Sequence, residues 1–74
     1  MRANDLRNLL RAQPFRPLRI HLSDGTVFEV RHPDMVIVGA STVEIDLPSD
    51  PDQERRAIVS LTHIAWVEVI APAP

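Results

Sequence analysis

Three histidines, His21, His32 and His63, are the residues whose chemistry would be most distinctive. Imidazole binds transition metals and carries protons near neutral pH, but protein metal sites draw their ligands from compact spacings. These three stand 11 and 31 residues apart, and the chain has no cysteine to complete a set. That spacing matches no compact ligand pattern, so neither a metal nor another cofactor is expected. Ser23, Ser41 and Ser60 are candidate nucleophiles, yet each falls in a turn or strand pattern. None has the strand–turn–helix context that presents a serine to a base, so an enzyme is not expected. Asp46, Asp50, Asp52 and Glu54 could hold a cation loosely, and a solvated acidic loop accounts for them more simply.

The arginines suggest a different chemistry. All eight basic residues are Arg, and the net charge is −2. Residues 1–19 hold five of them, Arg2, Arg7, Arg11, Arg16 and Arg19, against one acid, Asp5; residues 20–74 hold three against nine acids. A basic segment on an acidic body can offer a local surface to an anionic partner despite the overall sign. A solvated helix face explains the same residues without a partner.

Behind these groups stands one small domain. Seventy-four residues bury only about 60–65% of the unfolded surface, so the core is marginal, and oligomerisation is a common remedy. With no apolar run long enough to cross a membrane and no leader pattern at its start, the chain reads as cytoplasmic.

Leu6, Leu9 and Leu10 share one face of a predicted helix over about residues 5–13, capped by Asn4 or Asp5 and stopped before Pro14. Arg7 and Arg11 form an i, i+4 row on another face. Strands follow at Leu18–Leu22 and about Thr26–Arg31, the second interrupted at His32-Pro33-Asp34 and continuing bent through Met35–Val38. Gly39-Ala40-Ser41 reads as a turn. Thr42–Leu47 alternates apolar and acidic residues, as a half-buried strand does. The polar stretch Pro48–Arg55 is the main loop. Two last strands, Arg56–Leu61 and Ile64–Ile70, flank a short Thr62-His63 connection, and residues 71–74 form a tail.

The stretch LRIHLSDGTVFEV allows two hairpin registers. A two-residue Asp24-Gly25 loop sets Ile20 opposite Glu29 and Arg19 opposite Val30. A three-residue Ser23-Asp24-Gly25 loop, with Gly25 left-handed, pairs Leu18 with Val30, Ile20 with Phe28 and Leu22 with Thr26. Only the second sorts apolar and polar side chains onto separate faces. It turns His21 outward with Arg19 and Glu29. Trp66 alternates with Ile64 and is expected on the same face, in the core or at a subunit interface.

One helix ahead of five bent antiparallel strands suits a small barrel better than a sandwich. The chain resembles the Sm-like family, which includes bacterial Hfq. NDLRNLLRAQPFRPLRIHLSDG is similar to the Hfq helix running into its first strand and turn. HPDMVIV resembles the bend of the first Sm motif, and AIVSLTHIAWVEVIAP the second motif, two strands around a very short loop. The resemblance implies a single Sm-like domain over residues 1–74, with a five-stranded barrel over about 18–70. It implies a homo-oligomeric ring, hexameric or heptameric, closed through the last two strands. It also implies binding of single-stranded RNA, with Asp34, Met35, Thr62 and His63 lining the pore and Arg7, Arg11 and Arg16 on the basic helix side or rim. The alternative is a protein-interaction or assembly module of the same fold without RNA binding. Net acidity favours it, as does Thr62 standing where the family places a cation.

Overall fold

The computed structural model describes residues 1–72. One helix, α1 (Ala3–Arg11), precedes six strands: β1 (Leu18–Leu22), β2 (Val27–Val30), β3 (Val36–Val38), β4 (Thr42–Leu47), β5 (Arg55–Ser60) and β6 (Ile64–Val69). Single 3-10 turns at Pro33–Met35 and Leu61–His63 join β2 to β3 and β5 to β6. The strands form two three-stranded antiparallel sheets, ordered β2-β1-β6 and β3-β4-β5. The sheets do not close into the expected barrel. Pro33, which has no N–H to give a ladder, opens the 3-10 turn that divides the expected second strand, and its halves serve different sheets.

The helix lies two residues earlier at both ends than the sequence suggested. Arg2 occupies the N-cap with extended backbone and no side-chain cap. Asn4 and Asp5 therefore sit inside the first turn; Asn4 Oδ1 accepts from Arg7 Nη1 at 3.1 Å. Asp5 stands near the positive end of the helix dipole. The chain is already extended at Ala12, two residues ahead of Pro14. Leu6 is fully buried, and Leu9 and Leu10 pack beside it, as their spacing implies.

The hairpin adopts the three-residue register. Leu18 pairs with Val30, Ile20 with Phe28 and His21 with Val27, and Leu22 N–H donates to Thr26 O at 2.8 Å. Gly25 has φ +93°. Thr26 N–H donates to Asp24 Oδ1 at 2.9 Å, and this bond to the charged form holds the Asp24 carboxyl below its ordinary range. A Cβ at Gly25 would meet nothing within 4 Å, so substitution tests backbone conformation alone. Gly25→Ala is expected to lower stability by about 1–2 kcal/mol, the cost of a left-handed L-residue, without changing the fold. Urea denaturation followed by circular dichroism measures it; an unchanged midpoint would contradict it.

Inward side chains of both sheets share one core: Leu18, Ile20 and Val30 from the first, and Val43, Ile45 and Val59 from the second, with Leu6 buried against them. No buried polar side chain occurs among the described residues. β4 shows the expected alternation, with Val43 and Ile45 buried and Glu44 and Asp46 partly exposed. Trp66 departs from expectation. His21 pairs with Trp66 but the next residue, Leu22, pairs with Ile64, so Ala65 is an extra residue on β6. This bulge reverses the parity of the strand. Ile64 is buried, while Trp66 turns outward and is 54% exposed. Ala71 and Pro72 carry no regular structure, and the rest of the expected tail lies outside the described residues. No helix among the described residues is long and apolar enough to cross a membrane.

Candidate functional site

Three turns meet at one end of the molecule. Leu61 N–H donates to Ser41 O at 2.9 Å, tying the 3-10 turn Leu61–His63 to the turn between β3 and β4. Ser23 donates to His63 O through its N–H at 2.9 Å and its Oγ at 3.2 Å, tying the same turn to the β1–β2 hairpin. Ser60 Oγ and Thr62 Oγ1 share a hydrogen bond of 2.8 Å. The Met1 ammonium donates to Leu61 O at 2.9 Å. Thr62 and His63 are both exposed here, in a polar setting with Ser23, Asp24 and Ser41. His63 also helps depress the Asp24 carboxyl, after the larger effect of the Thr26 hydrogen bonds.

Asp34 and Met35 do not join them. They lie in the bend after Val30, which pairs with Leu18, whereas His63 precedes Ile64, which pairs with Leu22. The length of β1 separates the two places, roughly 13 Å at 3.3 Å per residue. The four expected pore residues therefore form two separated pairs. The turn that accompanies Thr62-His63 is Gly39–Ser41, to which the sequence alone assigns no role beyond a turn. A signal was available: if Pro33 merely bends one long strand, the loop that ends that strand is Gly39–Ser41.

The basic row divides as well. Arg7 Nη2 donates to Val38 O at 3.2 Å and Gly39 O at 3.5 Å, so Arg7 is a strut fixing α1 to the end of β3. Arg11 is exposed in the last helical turn, and Arg16 is half-buried ahead of β1. Among the described residues neither has a carboxylate within ion-pair distance. Histidines 21, 32 and 63 stand on three different elements: the outer face of β1, the bend and the 3-10 turn. Serines 23, 41 and 60 belong to the hairpin turn, the β3–β4 turn and the end of β5.

The outer faces of the sheets carry the remaining features. On the first sheet, Val27, His21 and Trp66 form a row across β2, β1 and β6. The imidazole and indole rings stack at 3.8 Å and 8°. His21 Nε2 lies 3.3 Å from Glu68 Oε1. On the second sheet, Ile37, Glu44 and Ile58 form the matching row across β3, β4 and β5. Arg56 bridges Glu44 at 3.6 Å and Asp46 at 3.1 Å. Ile58 is 67% exposed. Ile58 and Trp66 thus lie on β5 and β6, each of which has one strand neighbour and one free edge. Comparison of the chain with protein-family models, curated proteins and solved structures finds no match in any of the three.

Proposed function

We propose that this chain is a non-enzymatic assembly module of Sm-like architecture. It forms a homo-oligomeric ring by pairing β5 of one copy with β6 of the next. If β2 and β3 are taken as one strand bent at Pro33, the order β6-β1-β2/β3-β4-β5 is that of a five-stranded open barrel. Its two ends are the free edges. The observation that carries the reading is that both edge strands expose a large apolar side chain, Ile58 and Trp66. Unpaired edges recruit partners, and the stretches Ala57–Ser60 and Ile64–Val67 carry neither charge nor proline, the charges Arg55, Arg56 and Glu68 lying towards the strand ends. Pairing two different edges is a head-to-tail contact, which closes into a ring when the rotation permits. Six or seven copies are the numbers that the Sm-like resemblance implies.

The absence of native cysteine gives a clean test. Oxidation of mixed Arg56→Cys and Glu68→Cys proteins, each altered two residues from an anchor that stays in place, is expected to give crosslinked pairs containing one of each. Crosslinking of the Arg56→Cys protein with itself, and none in the mixture, would contradict the head-to-tail pairing.

A second reading makes the assembly an Hfq-like binder of single-stranded RNA. Arg11 and Arg16, free of carboxylate partners among the described residues, favour it, with Thr62 and His63 as the remaining pore candidates. Phosphate contacts of this kind release counterions, so binding should weaken steeply with salt. A double Arg11→Gln, Arg16→Gln variant is expected to lose RNA retention in low salt and to lower the salt slope by about 2. Retention equal to that of the unaltered protein would remove these residues from the interface.

A further inference from the structure

At the strand ends opposite the Thr62-His63 turn, a groove of about 340 Å³ opens between β1, β2 and the residue after β6. Pro17 and Ile70 form its apolar wall, held together by Ile70 N–H donating to Pro17 O at 2.9 Å. Buried Leu18 and Val30 lie beneath. Arg19, Arg31 and His32 line the remaining side. The Glu29 carboxylate is held between the two guanidiniums: Arg19 Nε lies 3.4 Å from Oε1, and Arg31 Nη2 lies 3.4 Å from Oε2. Arg19 also reaches Glu68 Oε2 at 3.5 Å.

We infer that this groove binds a phosphate monoester carrying a flat apolar group, of which a nucleoside monophosphate is the type. Two guanidiniums converge on the Glu29 carboxylate, Arg19 being shared with Glu68, and Glu29 is an exposed side chain able to swing away. Both ion pairs are long and their partners are 42–76% exposed, so they stabilise the native contact little. A phosphate brings more charge and more acceptor oxygens than a carboxylate, and guanidinium geometry suits it. The wall of Pro17 and Ile70 gives a flat group an apolar contact, and guanidinium planes can stack on a base. Glu29 is then a resident competitor that must yield to the ligand.

This role makes an opposed pair of expectations. In a titration of the folded chain with adenosine monophosphate, followed by amide NMR, shifts are expected at Arg19, Arg31, His32 and Ile70. Adenosine alone should produce none of them, and inorganic phosphate should bind more weakly than the nucleotide. Arg31→Gln is expected to weaken nucleotide binding about tenfold, the loss of one charge-assisted contact. Glu29→Gln removes the competitor and is expected to tighten binding about threefold, a fraction of one such contact. Both positions are exposed, so neither substitution should disturb the core. No shift at these amides, or weaker binding by Glu29→Gln, would overturn the site. Equal affinity for inorganic phosphate would overturn its assignment to a nucleotide-like ligand.

Discussion

If the proposed ring forms, Ile58→Arg is expected to reduce it to monomers while leaving each monomer folded. Ile58 is 67% exposed and points away from the core, so the substitution creates no cavity. It sits opposite Glu44, and an arginine there gains an acidic neighbour across β4 and β5. Within one copy the change is therefore close to neutral. Between copies the proposed seam covers this side chain, and a guanidinium has to lose water where an isoleucine gained by losing it. Truncating or charging a central apolar anchor costs about 2–4 kcal/mol of association, roughly 30- to 1,000-fold. Sedimentation velocity at fixed concentration reads the loss directly, and thermal denaturation separates it from unfolding. An oligomer that survives with unaltered affinity would place the contact elsewhere on the molecule.

The second large effect falls in the core. Ile20 is fully buried at the centre of β1, paired with Phe28 on one side and Val67 on the other. Ile20→Ala removes three carbons from a place that both neighbouring strands keep open. The expected loss is about 2–5 kcal/mol, combining lost burial and an imperfectly filled cavity. For a chain of 74 residues the whole stability is only about 4–11 kcal/mol, at 0.05–0.15 kcal/mol per residue. The variant should therefore show a much lower urea midpoint and a measurable unfolded population. A loss below about 1 kcal/mol would mean that the site collapses around the gap, and that Ile20 is not a centre of the core.

The parts of this fold that sequence reveals are those where side-chain period alone decides. The β1–β2 register is one, because only a three-residue turn keeps Ile20 with Phe28 and Arg19 with Glu29. β4 is another, because apolar and acidic residues alternate along it without interruption. The Leu6 face of α1 is a third. The failures have physical causes too. The bulge at Ala65 leaves no mark in composition, since alanine is at home in either parity, and so simple alternation puts Trp66 on the face opposite to the one it occupies. Pro33 marks an interruption, but nothing local says that the two halves of the strand will serve different sheets.

The candidate site was less legible than the fold. Arg7 and Arg11 look equivalent as an i, i+4 pair. Only the approach of the β3–β4 turn shows that Arg7 is occupied by carbonyls from residues 38 and 39, leaving Arg11 free of them. Asp34 and Thr62 are each the middle residue of a 3-10 turn, which invites pairing them. The antiparallel order puts those turns at opposite ends of the first sheet. The groove at Arg19 and Arg31 depended on three segments, around residues 18, 30 and 70, that sequence separation hides.

Assembly through the two free edges is the centre of the functional proposal, and native mass spectrometry of the purified chain tests it most directly. The expected spectrum is dominated by one closed homo-oligomer of six or seven copies, with little signal between it and the monomer. A spectrum of monomers alone, at concentrations where the protein is folded, would contradict edge-to-edge assembly and the Sm-like function built on it.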